Sequence, residues 1–500
     1  MNRSSLVLLG VLLSVVLQGC GAGEEKQTAR SGGKNPVFED HFGHAVAAAG
    51  DVNKDGFADV IVGAWGADTA GPDAGAAYIF LGGREGIKGK SAKDADIVLK
   101  GETTIDYFGF AVGGNCDLNG DGYSDVFVGA PLNDKGAKDA GAVYIYYGGA
   151  KGPSPTPSHV IRGVAEGDQF GYALACAGDL NKDGIHDLVV GAPLEDLNIP
   201  GDLSGPDTGA IYIFFGSKEG IKIPSAKEAN RVIRGVAAGD WFGNAIARVG
   251  DVNKDGVDDL LVGAYRNAPG PPDRFRNAGA AYLFYGVPKE GVKQDRATKA
   301  DGLLKGAARW DNFGFSVSGA GDVNGDGVPD MIVGADENDQ PGKINAGGAY
   351  VYHGGPRGIG SLVDAYIYGD KGGDYLGTAV AGGGDINKDG FADVIIGARE
   401  SGAGVEKGGA VYIFYGGKEG IPEGAASSAK TILTGTSTGG NFGFSVAVLG
   451  DVNGDGYADV IVGAPNHEKT GAAFILYGSK DGIKSRKATE ADVSLLGHWK

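Results

Sequence analysis

The stretch DVNKDGFADVIVGA, from Asp51 to Ala64, recurs seven times along the chain. The copies begin at Asp51, Asp117, Asp179, Asp251, Asp322, Asp385 and Asp451, at spacings of 66, 62, 72, 71, 63 and 66 residues. A period of this length means that one supersecondary unit is repeated, because a single unit could not bury its own apolar face. In each copy, aspartates at the first, fifth and ninth positions precede an apolar, β-branched run such as DVIVGA from Asp59.

Each unit reads as four strands. FGHAVAAAG from Phe42 supplies the first, DVIVGA the second, GAAYIFLGG from Gly75 the third and DIVLKG from Asp96 the fourth. The second is almost wholly apolar, as for a strand covered on both faces, whereas alternation in the third predicts one solvated face. Four-stranded sheets repeated radially predict an all-β, seven-bladed β-propeller of four-stranded antiparallel blades. Glycine is abundant, 94 of 500 residues, yet no Gly-X-Y period exists and 42% of residues are hydrophobic, which excludes collagen and argues against disorder. DVSLLG, from Asp492, gives the seventh unit its own fourth strand, so seven contiguous blades closed by packing are expected.

Phe-Gly followed by Gly-Ala-Pro resembles the FG-GAP repeat of integrin α-subunit propellers. Phe42-Gly43, Phe108-Gly109, Phe170-Gly171, Phe242-Gly243, Phe313-Gly314 and Phe442-Gly443 carry the first half, with Leu376-Gly377 in the sixth repeat. Full Gly-Ala-Pro begins at Gly129, Gly191 and Gly463; Trp65, Tyr265, Asp336 and Arg399 replace proline elsewhere.

Asp-x-Asn-x-Asp-Gly is the first half of an EF-hand loop, but Val62 stands where that loop has its twelfth-position glutamate. The resemblance to integrin-type loops implies a calcium site closed by the ninth-position aspartate. Its ligands in the first copy would be Asp51, Asn53, Asp55, the backbone carbonyl of Phe57, and Asp59. The corresponding sets are Asp117, Asn119, Asp121, Tyr123 and Asp125; Asp179, Asn181, Asp183, Ile185 and Asp187; and Asp251, Asn253, Asp255, Val257 and Asp259. The last three are Asp322, Asn324, Asp326, Val328 and Asp330; Asp385, Asn387, Asp389, Phe391 and Asp393; and Asp451, Asn453, Asp455, Tyr457 and Asp459. Hard oxygen donors favour Ca²⁺ over softer metals, and over Mg²⁺, which demands stricter geometry. Three carboxylates about 4.5 Å apart would repel by roughly 4 kcal/mol per pair at an effective dielectric of 20. About seven Ca²⁺ ions would also reduce the net charge of −18 to about −4. That charge argues against a nucleic-acid partner held through its phosphates.

The amino terminus reads as a targeting segment. Leu6 to Leu17 is apolar but too short for a stable span, and LQGC, ending at Cys20, resembles a bacterial lipobox. The expected organisation is a lipoprotein signal peptide over 1–20, a flexible tether over 21–36 and the propeller over 37–500. Lipidation of Cys20, followed by Gly21, implies an outer-membrane or cell-surface lipoprotein. Cys116 and Cys176 fall on apolar first strands, which predicts buried free thiols, with a disulfide between neighbouring repeats as the alternative.

Nothing in the sequence supports catalysis. The seven histidines (41, 44, 159, 186, 353, 467, 498) show no repeated ligand spacing, and no phosphate-cradling Gly-x-x-x-x-Gly-Lys occurs. The expected function is a calcium-stabilised, envelope-anchored binding or adhesion module, not an enzyme, acting on a protein or matrix partner. A lectin-like propeller and a structural envelope protein are the alternatives. The variable second-to-third connections place a partner face opposite the acidic loops. Connections of 17 and 15 residues in repeats three and four single out Tyr265, Arg266, Arg274, Phe275 and Arg276, with Trp241 and Trp310 in bordering loops. The metal-dependent ligand site of integrins lies in other domains, so the resemblance implies no particular ligand.

Overall fold

Every unit forms its own antiparallel sheet in the computed structural model, which describes residues 40–197, 203–268, 277–356, 358–360 and 362–497. These fall within one unit, Glu39–Lys500. Cys20, the segments 1–20 and 21–36, and Arg274, Phe275 and Arg276 lie outside the described residues. Blade one pairs Ala45–Gly50, Asp59–Ala64, Ala76–Phe80 and Ile97–Lys100 in chain order. The first strands of blades two to seven are Ala111–Cys116, Ala173–Gly178, Ile246–Gly250, Phe313–Gly321, Leu376–Gly384 and Ser445–Gly450. Each packs on the first strand of the next blade, and Ser445–Gly450 packs on Ala45–Gly50. The ring therefore closes with first strands innermost. Blade seven uses its own fourth strand, Val493–Leu496, so closure needs no exchanged strand among the described residues. Short parallel strands reach back from the following blade onto blade five (Gly424–Ala425) and blade six (Arg486–Lys487).

The apolar core is divided into seven clusters, each drawn from two neighbouring blades. This arrangement corrects the expectation for the third strand. Ala142–Tyr146, Ala280–Phe284, Ala410–Phe414 and Ala472–Leu476 are buried at every position, because a neighbouring blade covers each face of the sheet. The tyrosines of the first three, Tyr144, Tyr146, Tyr282 and Tyr412, supply the polar half of the alternating pattern but pack into the core shared with the preceding blade rather than facing water.

Both halves of the repeat motif serve the blade boundaries. The six Phe-Gly phenylalanines and Leu376 are at most 1% exposed. A Cβ on Gly63 would lie 2.1 Å from the Gly109 carbonyl oxygen of the next blade, and one on Gly463 would lie 2.0 Å from that of Gly43. Blades meet backbone to backbone there, at a distance only glycine permits.

Cys116 and Cys176 are bonded as a disulfide, with Cα atoms 5.7 Å apart, in place of the expected free thiols. They close the innermost strands of blades two and three, whose adjacency a reading of each repeat in isolation does not reveal. The bond spans 60 residues. On chain-entropy grounds, replacing both cysteines with serine should destabilise the chain by about 4 kcal/mol, read by urea unfolding; a loss below roughly 1 kcal/mol would contradict a stapling role.

Candidate functional site

Each acidic loop joins a first strand to a second, and the seven are built alike. In the first loop, Asp51 Oδ1 accepts the Asp55 N–H at 3.0 Å and Oδ2 accepts that of Gly56 at 2.9 Å. Asn53 Oδ1 accepts the Asp55 N–H at 3.1 Å, and Asp55 Oδ1 accepts the Phe57 N–H at 3.1 Å. These four backbone bonds recur in the other six loops.

The ninth aspartate behaves differently. Asp59 has no exposed surface, and its Oδ2 accepts the Val52 N–H while Oδ1 accepts that of Gly82, just beyond the third strand, both at 2.8 Å. Asp125, Asp187, Asp259, Asp330, Asp393 and Asp459 repeat both bonds, at 2.7 to 3.0 Å. The glycine beyond the third strand is required, since a Cβ on Gly82 would lie 2.3 Å from the Ala58 carbonyl oxygen.

The residue after that glycine reaches the previous blade. Gly83 N–H donates to the Val452 carbonyl at 3.0 Å, Gly149 to Val52 at 3.0 Å and Ser217 to Leu118 at 3.2 Å. Val287, Gly355, Gly417 and Ser479 donate in turn to Leu180, Val252, Val323 and Ile386. Loop, buried carboxylate, third strand and neighbouring loop thus form one hydrogen-bonded belt around the ring.

Burial sets the charge state of these carboxylates. Desolvation pushes Asp59, Asp125, Asp393 and Asp459 up to about 7 and Asp187 and Asp259 to about 8, against the lowering effect of the two N–H donors. Asp330 reaches only about 6, with His353 nearby. The first- and fifth-position aspartates add to the upward push on the ninth in six loops, and fifth-position Asp326 does so for Asp330.

The donor set suits a hard cation. Its ligating side-chain atoms are all oxygens, and the carboxylate oxygens in these backbone bonds accept one N–H each, except Asp322 Oδ1 and Asp451 Oδ1, which accept two. The spacing corrects one expectation, however. Among the described residues, the only three His, Cys or acidic side chains with ligand atoms within 4.8 Å of one another are Cys116, Cys176 and His186, whose two sulfurs are bonded together. The three carboxylates of a loop are therefore not all within 4.8 Å of one another, as mutual spacings of about 4.5 Å would require.

On the opposite face, Trp241 and Tyr265 are 4% and 6% exposed and pack edge to face, 5.7 Å between centroids. Arg266 lies over the Trp241 ring at 3.9 Å. These three belong to the rim's own packing, while Trp310 is 39% exposed. Ile105, Val164, Leu203 and Ile344, 47 to 74% exposed, lie in the same class of loops around blades one to five.

Residues following Phe-Gly form an arc that the sequence reading missed: Phe444 meets His44 at 5.0 Å, His44 meets Phe110 at 4.8 Å and Phe110 meets Tyr172 at 4.9 Å. Burial lowers His41 to about 4 and His44 to about 3, leaving both neutral. Asp336 and Arg399, which replace consecutive repeat prolines, form a buried ion pair between blades five and six. The arc's signal was recurrence of aromatics at one repeat position; the ion pair's was opposite charge at equivalent positions of adjacent repeats.

Removing a ninth-position carboxylate strands two buried N–H groups. Asp393→Ala is therefore expected to destabilise the metal-free chain by about 2–6 kcal/mol, taking about 1–3 kcal/mol per orphaned donor. Asp389→Ala, at the exposed fifth position, should lose well under half of that. Urea unfolding in chelator checks the ratio, and equal losses would contradict the distinction.

Seven segments, residues 42–80, 108–146, 170–214, 242–284, 313–352, 376–414 and 442–476, match the FG-GAP repeat. The chain is 34% identical over 220 residues to integrin alpha-PS5 of Drosophila melanogaster, covering 43% of this chain and 19% of that protein. It is 36% identical over 174 residues to integrin alpha-IIb of Mus musculus, covering 33% and 16%. With integrin alpha-6 of Gallus gallus it shares 31% over 260 residues, covering 51% and 21%. The chain thus aligns with about a fifth of these relatives' length.

Proposed function

The chain belongs to the FG-GAP repeat family, and on that basis we propose a calcium-stabilised binding or adhesion module that recognises a protein or matrix partner. The observation that carries this reading is the contrast between the two ends of the blades. The seven acidic loops keep one design. The opposite loops vary, and they hold five of the nine exposed large apolar side chains among the described residues: Ile105, Val164, Leu203, Trp310 and Ile344. Exposed apolar side chains rimmed by polar loops mark interaction surfaces. Trp310, with Arg309 over its ring at 5.1 Å, supplies the aromatic and arginine chemistry that interface hot spots favour. Arg274, Phe275 and Arg276 are included in this proposal from the sequence, and Trp241, Tyr265 and Arg266 pack on one another in these loops.

Calcium would be held in the first loop by Asp51, Asn53, Asp55, Asp59 and the Phe57 carbonyl, and likewise in the other six. Its charge would favour the ionised form of the buried ninth carboxylates, which burial otherwise disfavours. Cys20 would carry the lipid that places the module on an outer membrane or cell surface. No helix among the described residues is long and apolar enough to cross a membrane.

Extracellular calcium modules bind at about 10⁻⁴ to 10⁻³ M. At tenfold excess each site adds about 1.4 kcal/mol, so seven would add roughly 10 kcal/mol. Chelation should therefore lower the melting temperature greatly and calcium should restore it; a temperature indifferent to both would exclude the metal reading. For the partner face, changing Leu203, Trp310 and Ile344 together to serine should abolish capture on arrays of immobilised matrix proteins without shifting melting. Capture by glycans alone would favour a lectin. Cys20→Ser should release the protein from the membrane fraction, and unchanged retention would rule out lipid anchoring.

A further inference from the structure

At the fourth loop position the backbone is left-handed in every copy. Lys54, Lys182, Lys254 and Lys388 hold φ of 59°, 57°, 64° and 57°; Gly120, Gly325 and Gly454 hold 68°, 75° and 77°. One conformation is thus reached by two residue types that differ in how they treat the asparagine before them. A glycine nitrogen has no Cβ beside it to obstruct the preceding side chain. The lysine side chains occupy that space and run toward the next blade, Lys54 over the Tyr123 ring at 5.4 Å and Lys388 over Tyr457 at 5.8 Å.

Two further features favour reaction at the glycine loops. Gly120, Gly325 and Gly454 are exposed, so water reaches them. In loops five and seven the glycine N–H rests on the first-position carboxylate, Gly325 on Asp322 Oδ1 at 2.7 Å and Gly454 on Asp451 Oδ1 at 2.6 Å. That carboxylate is placed to take the nitrogen's proton as the nitrogen attacks.

We propose that Asn119, Asn324 and Asn453 are deamidation sites that reset the charge of the acidic loops in blades two, five and seven. The glycine nitrogen bonds to the asparagine Cγ, and the Cγ–Nδ2 bond breaks. The amide leaves as ammonia, carrying the proton that the glycine nitrogen gives up through the carboxylate or solvent. A cyclic imide remains. Water then opens it at one of two bonds, with no change of oxidation state. Cleavage at Cγ gives aspartate; cleavage at the backbone carbonyl carbon gives isoaspartate, with an extra methylene in the main chain.

Each product alters the loop in a definite way. The asparagine amide now donates to the fifth-position carboxylate: Asn119 to Asp121 at 2.9 Å, Asn324 to Asp326 at 3.2 Å and Asn453 to Asp455 at 3.0 Å. Deamidation replaces this donor with a second carboxylate, turning attraction into repulsion. The aspartate product keeps an oxygen at the third position, and Asp-x-Asp-x-Asp-Gly still fits a calcium loop. The isoaspartate product displaces that oxygen. Blades one, three, four and six, with lysine in fourth position, keep their asparagines.

The folded full-length chain should be incubated at mildly alkaline pH, in chelator and in calcium, then digested and read by mass spectrometry. Peptides holding Asn119, Asn324 and Asn453 should show the amide-to-acid mass gain several-fold sooner than those holding Asn53, Asn181, Asn253 and Asn387. The mass gain is the necessary readout, because Asp-Gly in all seven loops forms isoaspartate without one. Gly120→Lys should slow Asn119 to the rate of the lysine loops. The fold has room for that change, since a Cβ there meets only Ile185 side-chain atoms at 3.4 Å. Equal rates at both classes of loop, or an Asn119 rate unchanged by Gly120→Lys, would overturn the proposal. The calcium arm alone rests on the metal reading. Slower conversion in calcium supports both; an undiminished Asn-Gly preference with equal rates in calcium and chelator supports deamidation and counts against calcium at these loops.

Discussion

A carboxylate with no exposed surface must be satisfied by donors that stay in place, and the ninth-position aspartates meet that demand through two different strands. Each ties the start of its loop to the far end of its own third strand, and the residue beyond ties that strand to the previous loop. Several features of the sequence follow from this one constraint. The aspartate cannot be replaced without orphaning two buried N–H groups. The glycine beyond the third strand cannot carry a Cβ, because Gly82 and its counterparts sit against the carbonyl before the aspartate. The belt also links, at the ends of the blades, a ring whose core is divided into seven clusters.

Much of this was legible in the sequence because the chain states it seven times. The period, the strand pattern and the two glycine motifs led to blade number, strand order and closure without exchange. What remained hidden depends on contacts between repeats. Ala142–Tyr146 looks half-solvated by its own alternation and is buried because another blade lies over it. Cys116 and Cys176 look like separate core residues until the ring sets their strands side by side. Trp241 reads as an exposed aromatic in a loop, yet Tyr265 and Arg266 enclose it. The acidic loops were recognised by composition, but composition cannot show that the first, fifth and ninth aspartates have different tasks. Two accept bonds from an exposed turn, and one is a buried joint.

The two ends of the blades are under different physical demands. At the acidic end, loop geometry, buried charge and the belt interlock, so little can change without affecting neighbours. At the other end, connections of different length leave the blades without altering strand register, and substitutions there are absorbed locally, as when Asp336 and Arg399 pair where proline is lost. Side chains such as Leu203 and Ile344 can point into solvent there with no consequence for the ring. A scaffold of this kind separates stability from recognition, which is how rigid frameworks carry variable binding loops.

The central claim is that the buried aspartates and their N–H donors form a belt that opens only when the whole ring opens. Native-state hydrogen exchange of the donating amides tests it most directly, at Val52, Gly82, Leu118, Gly148 and their counterparts in the other five blades. The account predicts that these amides exchange as slowly as those of the buried second strands and share their dependence on denaturant, as expected for groups released by global unfolding. Exchange at the rate of the exposed fifth- and sixth-position amides, such as Asp55 and Gly56, would show that the loops open independently and would contradict the belt.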